Sequence, residues 1–364
     1  MELLYQIALT QINGVGAVLA KNLISYCGSA SEVFKTKKST LLKIPDIGLF
    51  TANSVLAFND FKRAETELSF IEKNKIKPLF YADPNYSYRL RSTVDCPVLL
   101  YQLGAANLNA DKIIGIVGTR TPTEYGKQFC DRLVEDLSHT GCMIISGMAY
   151  GIDICAHKAA LKFGLPTLGV MAHGLDKLYP SVHKKHVDSM ILNQGGLVTE
   201  FISNTNADRE NFPRRNRIVA GLCDAIIVIE TARRGGSMIT AELAWQYDRN
   251  LLALPGRIGD EKSEGCNYLI KTNKAEMIES ALDLEKSLGW DMATKLPAAQ
   301  RSLPIDLSQE ETIIWTLIKE KKIIGIDEIV SVSTLGNSRV ALTLLDLEFK
   351  GFIKSLPGKR FQLL

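Results

Sequence analysis

No CxxC pair occurs among the seven cysteines, which are scattered and odd in number. That disfavours a structural zinc site and makes reduced thiols in a cytoplasmic protein the simplest reading. His183 and His186 lie close together, but no Cys or carboxylate set completes a ligand pattern, so no metal is expected. The chain has no GxxxxGK[ST] loop, which argues against a P-loop ATPase; Gly126-Lys127 lacks both the upstream spacing and the following Ser or Thr. No clean GxGxxG follows the first strand of the expected sheet, so nothing supports a dinucleotide, and no cofactor is expected. Met1-Glu2-Leu3-Leu4 lacks the basic start of a signal peptide, and no apolar run is long enough to span a bilayer; no membrane association is expected. Low-complexity tracts are missing too. The formal net charge of +3 over 364 residues is near neutral, so a nucleic-acid site would have to come from a local patch.

Such a patch is present. Six of the sixteen arginines fall between Arg209 and Arg234. Residues 212–241, FPRRNRIVAGLCDAIIVIETARRGGSMITA, join an Arg-rich helix start, a buried-strand run and an Arg-Arg-Gly-Gly-Ser loop that opens another helix. A strand ending in a glycine loop before a helix exposes backbone N–H groups at its carboxyl end, which makes an anion site. Arginine presents a planar fork to phosphate, so the cluster favours a polyanion.

The chain divides into a helical unit at 1–70, an α/β unit at 71–290, a linker at 291–307 with Pro297 and Pro304, and a small unit at 308–364. Within the first, Ile12-Asn13-Gly14-Val15-Gly16 and Ile44-Pro45-Asp46-Ile47-Gly48 look alike. Each is the kind of turn by which a helix-hairpin-helix (SAM-like) module aims N–H groups at DNA phosphate, although the second lacks the first glycine. A purely structural role is an equal alternative. In the second unit, short apolar runs at Lys112–Val117, Cys142–Ser146, Thr167–Met171, Gly196–Glu200, Ala225–Ile229 and Leu251–Leu254 alternate with helical patterns. These predict a mostly parallel sheet covered on both faces: a Rossmann-like, doubly wound α/β fold. The last unit has helical patterns at Gln309–Glu320, Ile326–Val332 and Asn337–Glu348, then a hairpin, the order of a winged helix; Ser308 with Glu311 fits a capping box.

In open parallel sheets ligands bind beyond the carboxyl ends of the strands. The glycine loops gather there: Gly118-Thr119-Arg120, Ser146–Gly151, Ala172-His173-Gly174 and Arg233–Ser237. Ser146 lacks a GxSxG elbow. Asp153 and His157, four apart on one helix, suit a hydrogen-bonded pair that orients rather than catalyses. Glu200 and Glu242 are partners for nearby arginines or, alternatively, acids or bases. Tyr150, Tyr179 and Phe212 are the rim's only aromatic candidates for base stacking, with packing the simpler role.

Several stretches occur together in one order: VGTR (117–120), PTEYG (122–126), SGMAYGID (146–153), GLDKLYP (174–180), NFPRRNRIVAGL (211–222), RRGGSMITA (233–241), LPGR (254–257) and EGCNYLI (264–270). In these the chain resembles the DprA/Smf family of DNA-processing proteins over nearly its whole length. The resemblance implies a non-enzymatic, homodimeric single-stranded DNA binder that protects incoming strands and loads RecA in natural transformation. It also implies that Arg120 contacts phosphate, that Ser146 and Gly147 line the pocket, and that Arg214, Arg215 and Arg217 flank it. Gly235, Gly236 and Ser237 would give backbone and hydroxyl contacts, Asn216 would orient the arginines or reach a base, and Lys177 is a weaker candidate.

Two other readings compete. A nucleotide-binding or nucleotide-hydrolysing Rossmann-like enzyme or sensor would use RRGGSMITAE (233–242) as a loose PGGxGTxxE loop, with Glu242 catalytic; Pro is missing and Met-Ile replaces Gly-Thr. A transcription regulator would read duplex DNA with Asn337–Glu348, but Arg339 is that helix's only basic residue, so protein contact or weak auxiliary DNA contact is favoured there.

Overall fold

A computed structural model describes residues 2–290, 307–356 and 358–363. The linker expected at 291–307 therefore lies, apart from Leu307, outside the described residues.

A nine-stranded sheet organises the molecule: β1 (Lys77–Phe80), β2 (Leu99–Gly104), β3 (Ile113–Gly118), β4 (Met143–Gly147), β5 (Thr167–Val170), β6 (Gly196–Thr199), β7 (Ala225–Ile229), β8 (Asn250–Ala253) and β9 (Glu276–Met277). Their spatial order is β1-β2-β6-β5-β4-β3-β7-β8-β9. From β6 to β9 all neighbours are parallel, and at one edge β2 alone runs against the rest, pairing antiparallel with both β1 and β6. The chain winds outward from β3 to β6, then returns to the other side of β3 with β7, so the strand order reverses between β3 and β7. This is the doubly wound topology, and it places the ligand-binding edge at the strands' carboxyl ends.

Both faces are covered, which is why the strands read as continuous apolar runs. One core joins Ile113, Ile145, Ile226 and Val228 to the helices Asn211–Leu222 and Gly236–Gln246. The other joins Ile114, Ile144, Ile227 and Ile229 to Glu124–Asp136 and Ile152–Lys162. All five residues of β7 are buried, and the four large ones, Ile226 to Ile229, are each worth roughly 1.5–3 kcal/mol of transfer free energy. The strand β9, two residues long, carries too little pattern to be read from sequence.

Ahead of the sheet, helices between Glu2 and Lys73 pack around their own apolar cluster. The two look-alike turns are equivalent in backbone. Gly14 has φ +78° and Asp46 φ +65°, and Gly16 and Gly48 both cap the next helix in an extended conformation. Asp, like Gly and Asn, tolerates the left-handed region, so the second turn forms without its first glycine but puts a carboxylate where phosphate would approach.

After residue 307, helices Gln309–Lys321, Ile326–Ser333 and Asn337–Phe349 combine with β10 (Ile323–Gly325), β11 (Ile353–Leu356) and β12 (Arg360–Leu363) in a sheet of order β10-β12-β11. The Ser308–Glu311 capping box forms as expected.

Candidate nucleic-acid interface

The helix Asn211–Leu222 begins three residues before the expected Arg214, because Pro213 falls in its first turn, where no N–H is required. That extra turn lays Phe212 and Arg215 across the carboxyl ends of β4 and β5. Arg215 is only 6% exposed and its Nη1 donates to the Val170 carbonyl at 2.6 Å. It passes directly over Gly147, where any Cβ would overlap the guanidinium. Its Nε is buried without an acceptor. Burial pulls the Arg215 pKa down, Asp153 pulls it back up, and Arg120 lowers it further. Asp153 is also buried, and that burial raises its carboxyl pKa against the opposing pull of Arg215.

Above Arg215, the exposed Arg120 leaves the end of β3 with its guanidinium 5.5 Å from the Phe212 ring centre. The loop carrying Arg120 is held by Thr119 N–H donating to the Glu230 carbonyl at 2.7 Å, and by Ile152 N–H donating to Thr119 O at 3.1 Å. Gly151, at φ +82°, lies so close to Thr119 that a side chain there would collide with it. Arg120, Met148, Tyr150, His173, Tyr179, Phe212 and Arg215 surround a hollow of about 30 Å³. This is room for about one water-sized group, so an extended ligand must lie along the rim rather than inside. Tyr150 and Tyr179 are 49% and 55% exposed, and Tyr179 meets Phe212 edge to face at 6.4 Å. Tyr150 likewise meets His183 edge to face at 5.3 Å, so each tyrosine makes a ring contact and is about half exposed.

Other expected residues sit elsewhere. Ser146 is fully buried and its hydroxyl donates to the Ile116 carbonyl at 2.5 Å, so it braces the floor and does not line the hollow. His157 does not pair with Asp153. Its Nε2–H donates to the Gly147 carbonyl at 2.7 Å and its Nδ1 lies 2.7 Å from the Thr167 hydroxyl; burial holds its pKa down at about 4. Arg217 is turned away and is engaged by the Glu200 carboxylate and the Asp95 carbonyl. Arg214, its guanidinium 5.0 Å from the Phe201 ring centre, lines a separate groove of about 680 Å³ that it shares with Val15 and Gly16 of the helical unit. Lys177 donates to Asn206 at 2.8 Å. Asn216 is half-buried on the same helix. Gly235 and Gly236 start the helix Gly236–Gln246 beyond β7, with Ser237 buried behind them.

Sequence reasoning missed Glu230. It directly follows β7 with φ +53°, is buried, and accepts hydrogen bonds from both the N–H and the hydroxyl of Thr123 at the start of the helix Glu124–Asp136. In dinucleotide-binding Rossmann domains that helix end receives the pyrophosphate; here a carboxylate of the chain occupies it. Nothing local in the sequence marks Glu230, because its partner lies 107 residues away. A wider hollow of about 870 Å³ beside Glu230 mixes Arg257 and Lys262 with Asp260 and Glu261, which gives a phosphate no net attraction. Glu242 pairs with Lys274 at 2.7 Å. Among the described residues, no group of three or more His, Cys, Asp or Glu side chains is placed to hold a metal ion, and no helix is long and apolar enough to cross a membrane.

Comparison with known proteins agrees with this architecture. Residues 77–289 match the family described as DNA recombination-mediator protein A, and residues 297–359 match the DprA winged helix domain. Protein Smf of Synechocystis is 30% identical over 99% of this chain and 98% of its own length. The X-ray structure of DNA processing protein A from Streptococcus pneumoniae superposes with a TM-score of 0.60 at 28% identity, covering 78% of this chain and 95% of that one. DNA processing protein A from Helicobacter pylori, described for its single-stranded DNA binding mode, gives 0.53 at 30% identity over 60% and 97% of the two chains. With the two-sided sheet, the occupied pyrophosphate position and the arginine-lined rim, these matches place the chain in the DprA/Smf family of DNA recombination-mediator proteins.

Proposed function

We propose that this protein binds single-stranded DNA along the carboxyl rim of its sheet, protects incoming strands and loads RecA onto them in natural transformation. One observation carries the reading: exposed Arg120 and buried Arg215 face one hollow, and Arg215 Nε lacks an acceptor. Buried guanidinium nitrogens without a partner also occur at Arg89 and Arg249, away from the rim, so it is the opening of Arg215 onto the hollow beside Arg120 that points to an anion, and a phosphate oxygen fits that space. Arg120 supplies a second charge, and the backbone N–H groups of Gly236 and Ser237 at the start of the helix Gly236–Gln246 add uncharged donors farther along the rim. The exposed Arg214, in the neighbouring groove, and the exposed Lys177 add positive charge outside the hollow, and Asn216 adds an uncharged polar group. The half-exposed Tyr150 and Tyr179 give bases a place to stack, which is sequence-tolerant. In this reading the protein is a cytoplasmic homodimer and not an enzyme. The small hollow and the Glu242–Lys274 pair speak against nucleotide hydrolysis, and the single-strand binding described for the Helicobacter relative supports the ligand class.

The deciding measurement is fluorescence anisotropy with a labelled oligothymidine and a matching duplex over a salt series. Preference for the single strand, weakening steeply as salt rises, is expected. Equal or tighter duplex binding would refute the reading.

A further inference from the structure

The helix Asn337–Phe349 occupies the position that reads a duplex in many winged helices, yet its outer face is apolar. Leu342, Leu345 and Phe349 are 62%, 48% and 83% exposed, and with the exposed Ser338 they repeat at intervals of four, three and four residues. This is the spacing of a helix-pairing seam. The inner positions Val340, Thr343, Leu344 and Leu347 are already spent on the unit's own core. The hairpin that would act as the wing is engaged elsewhere: the Arg360 guanidinium lies 4.4 Å from the Tyr88 ring centre, and Gly358 sits against the Arg249 guanidinium. Asp346 and Glu348 near the seam would repel phosphate.

We propose that this face pairs with the same face of a second copy of the chain, antiparallel about a two-fold axis. The face is complementary to itself in that orientation, as a two-fold contact requires. Leu342 packs on Leu345 of the other copy, and Phe349 covers the small Ser338. Arg339 and Asp346, seven residues apart on one flank, meet twice as Arg–Asp pairs. A parallel arrangement instead sets Phe349 against Phe349 and leaves both charges unmatched. Arg339 also reaches Glu310 within its own chain, and its several N–H donors allow both contacts.

One 13-residue helix buries less than a stable interface of about 1,200–2,000 Å² needs. The contact therefore forms between chains already held side by side, where effective concentration is high. It rests on the DNA-binding reading, which sets chains side by side on one strand, and it is separate from any dimer made by the central sheet.

The test uses the full chain in sedimentation velocity, alone and on a long oligothymidine. Arg339→Asp and Asp346→Arg should each weaken self-association about tenfold, because two pairs are lost and two repulsions gained. The double swap should restore it, and short-oligonucleotide affinity should be unchanged throughout. A mixture of Ser338→Cys and Phe349→Cys chains, both carrying Cys27→Ser and Cys155→Ser, should link through a short bismaleimide, whereas either chain alone should not. Unchanged association in both single swaps, no rescue in the double swap, or no mixed cross-link would overturn the proposal. So would loss of duplex binding in Leu345→Lys, which would assign the face to DNA.

Discussion

Two buried arginines sit at opposite ends of the same sheet, and they are completed differently. At the amino end, Arg89 gives Nε and Nη2 to the Asp224 carboxylate at 2.6 and 2.9 Å, and Asp224 also accepts from Ile113 N–H at 3.0 Å. At the carboxyl end, Arg215 meets one backbone carbonyl, and among the described residues no carboxylate makes an ion pair with it. The first arginine has the protein's own carboxylate as counter-ion, although its Nη1 is buried without a partner among the described residues, and it ties β3 and β7 to the segment before β2. The second is left facing a hollow. Burial of a charge alone is therefore no sign of a binding site; what matters is whether the protein itself supplies the counter-charge.

The largest effect should come from breaking the closed end. Asp224→Asn leaves Arg89 buried without its counter-ion and should cost about 3–5 kcal/mol of stability, read as a lowered denaturation midpoint with rim affinity preserved in the folded fraction. Acid should act on the other end. His157 is held at about 4 in the folded protein, against about 6.5 unfolded. Between those values the unfolded chain binds the extra proton, so stability falls as pH drops from about 6.5 to 4, by roughly 3 kcal/mol in total. His157→Gln should flatten that limb in denaturant titrations at stepped pH; an unchanged slope would show that His157 is not the titrating group. Arg120→Ala should then sharpen the contrast. It removes an exposed charge, so the midpoint should hold while oligothymidine affinity falls about 10–100-fold, the value of one charge-assisted contact of about 1.5–3 kcal/mol. Its salt slope should shrink by about 0.7. The smallest change is expected for Tyr179→Ala, about fivefold or more from lost stacking, with Tyr179→Phe retaining affinity; loss in both would point to the hydroxyl instead.

Much of this was legible in the chain. The apolar runs of β3, β4, β5, β7 and β8 are long enough, and free enough of polar interruption, to announce a two-sided parallel sheet. The glycine loops could be placed on one rim from that topology alone. The arginine cluster was equally visible, but its division was not. Arg214, Arg215 and Arg217 are close neighbours, and helical geometry divides them: Arg215 lies under the rim hollow, whereas Arg214 and the Glu200-paired Arg217 both line the groove shared with the helical unit. Ser146 and His157 carried misleading signals for a related reason, since their partners Ile116, Gly147 and Thr167 become neighbours only when the strands align.

By itself, then, the sequence determined the layered α/β architecture, the edge at which a ligand would bind and the cationic character of that edge, because periodicity and glycine chemistry act over a few residues. Which arginines face the ligand, which carboxylate fills the pyrophosphate position and which tyrosines stay half-exposed were decided only by tertiary structure. Those outcomes depend on the desolvation and counter-charge that each group meets after folding, and partners more than a hundred residues away supply some of them.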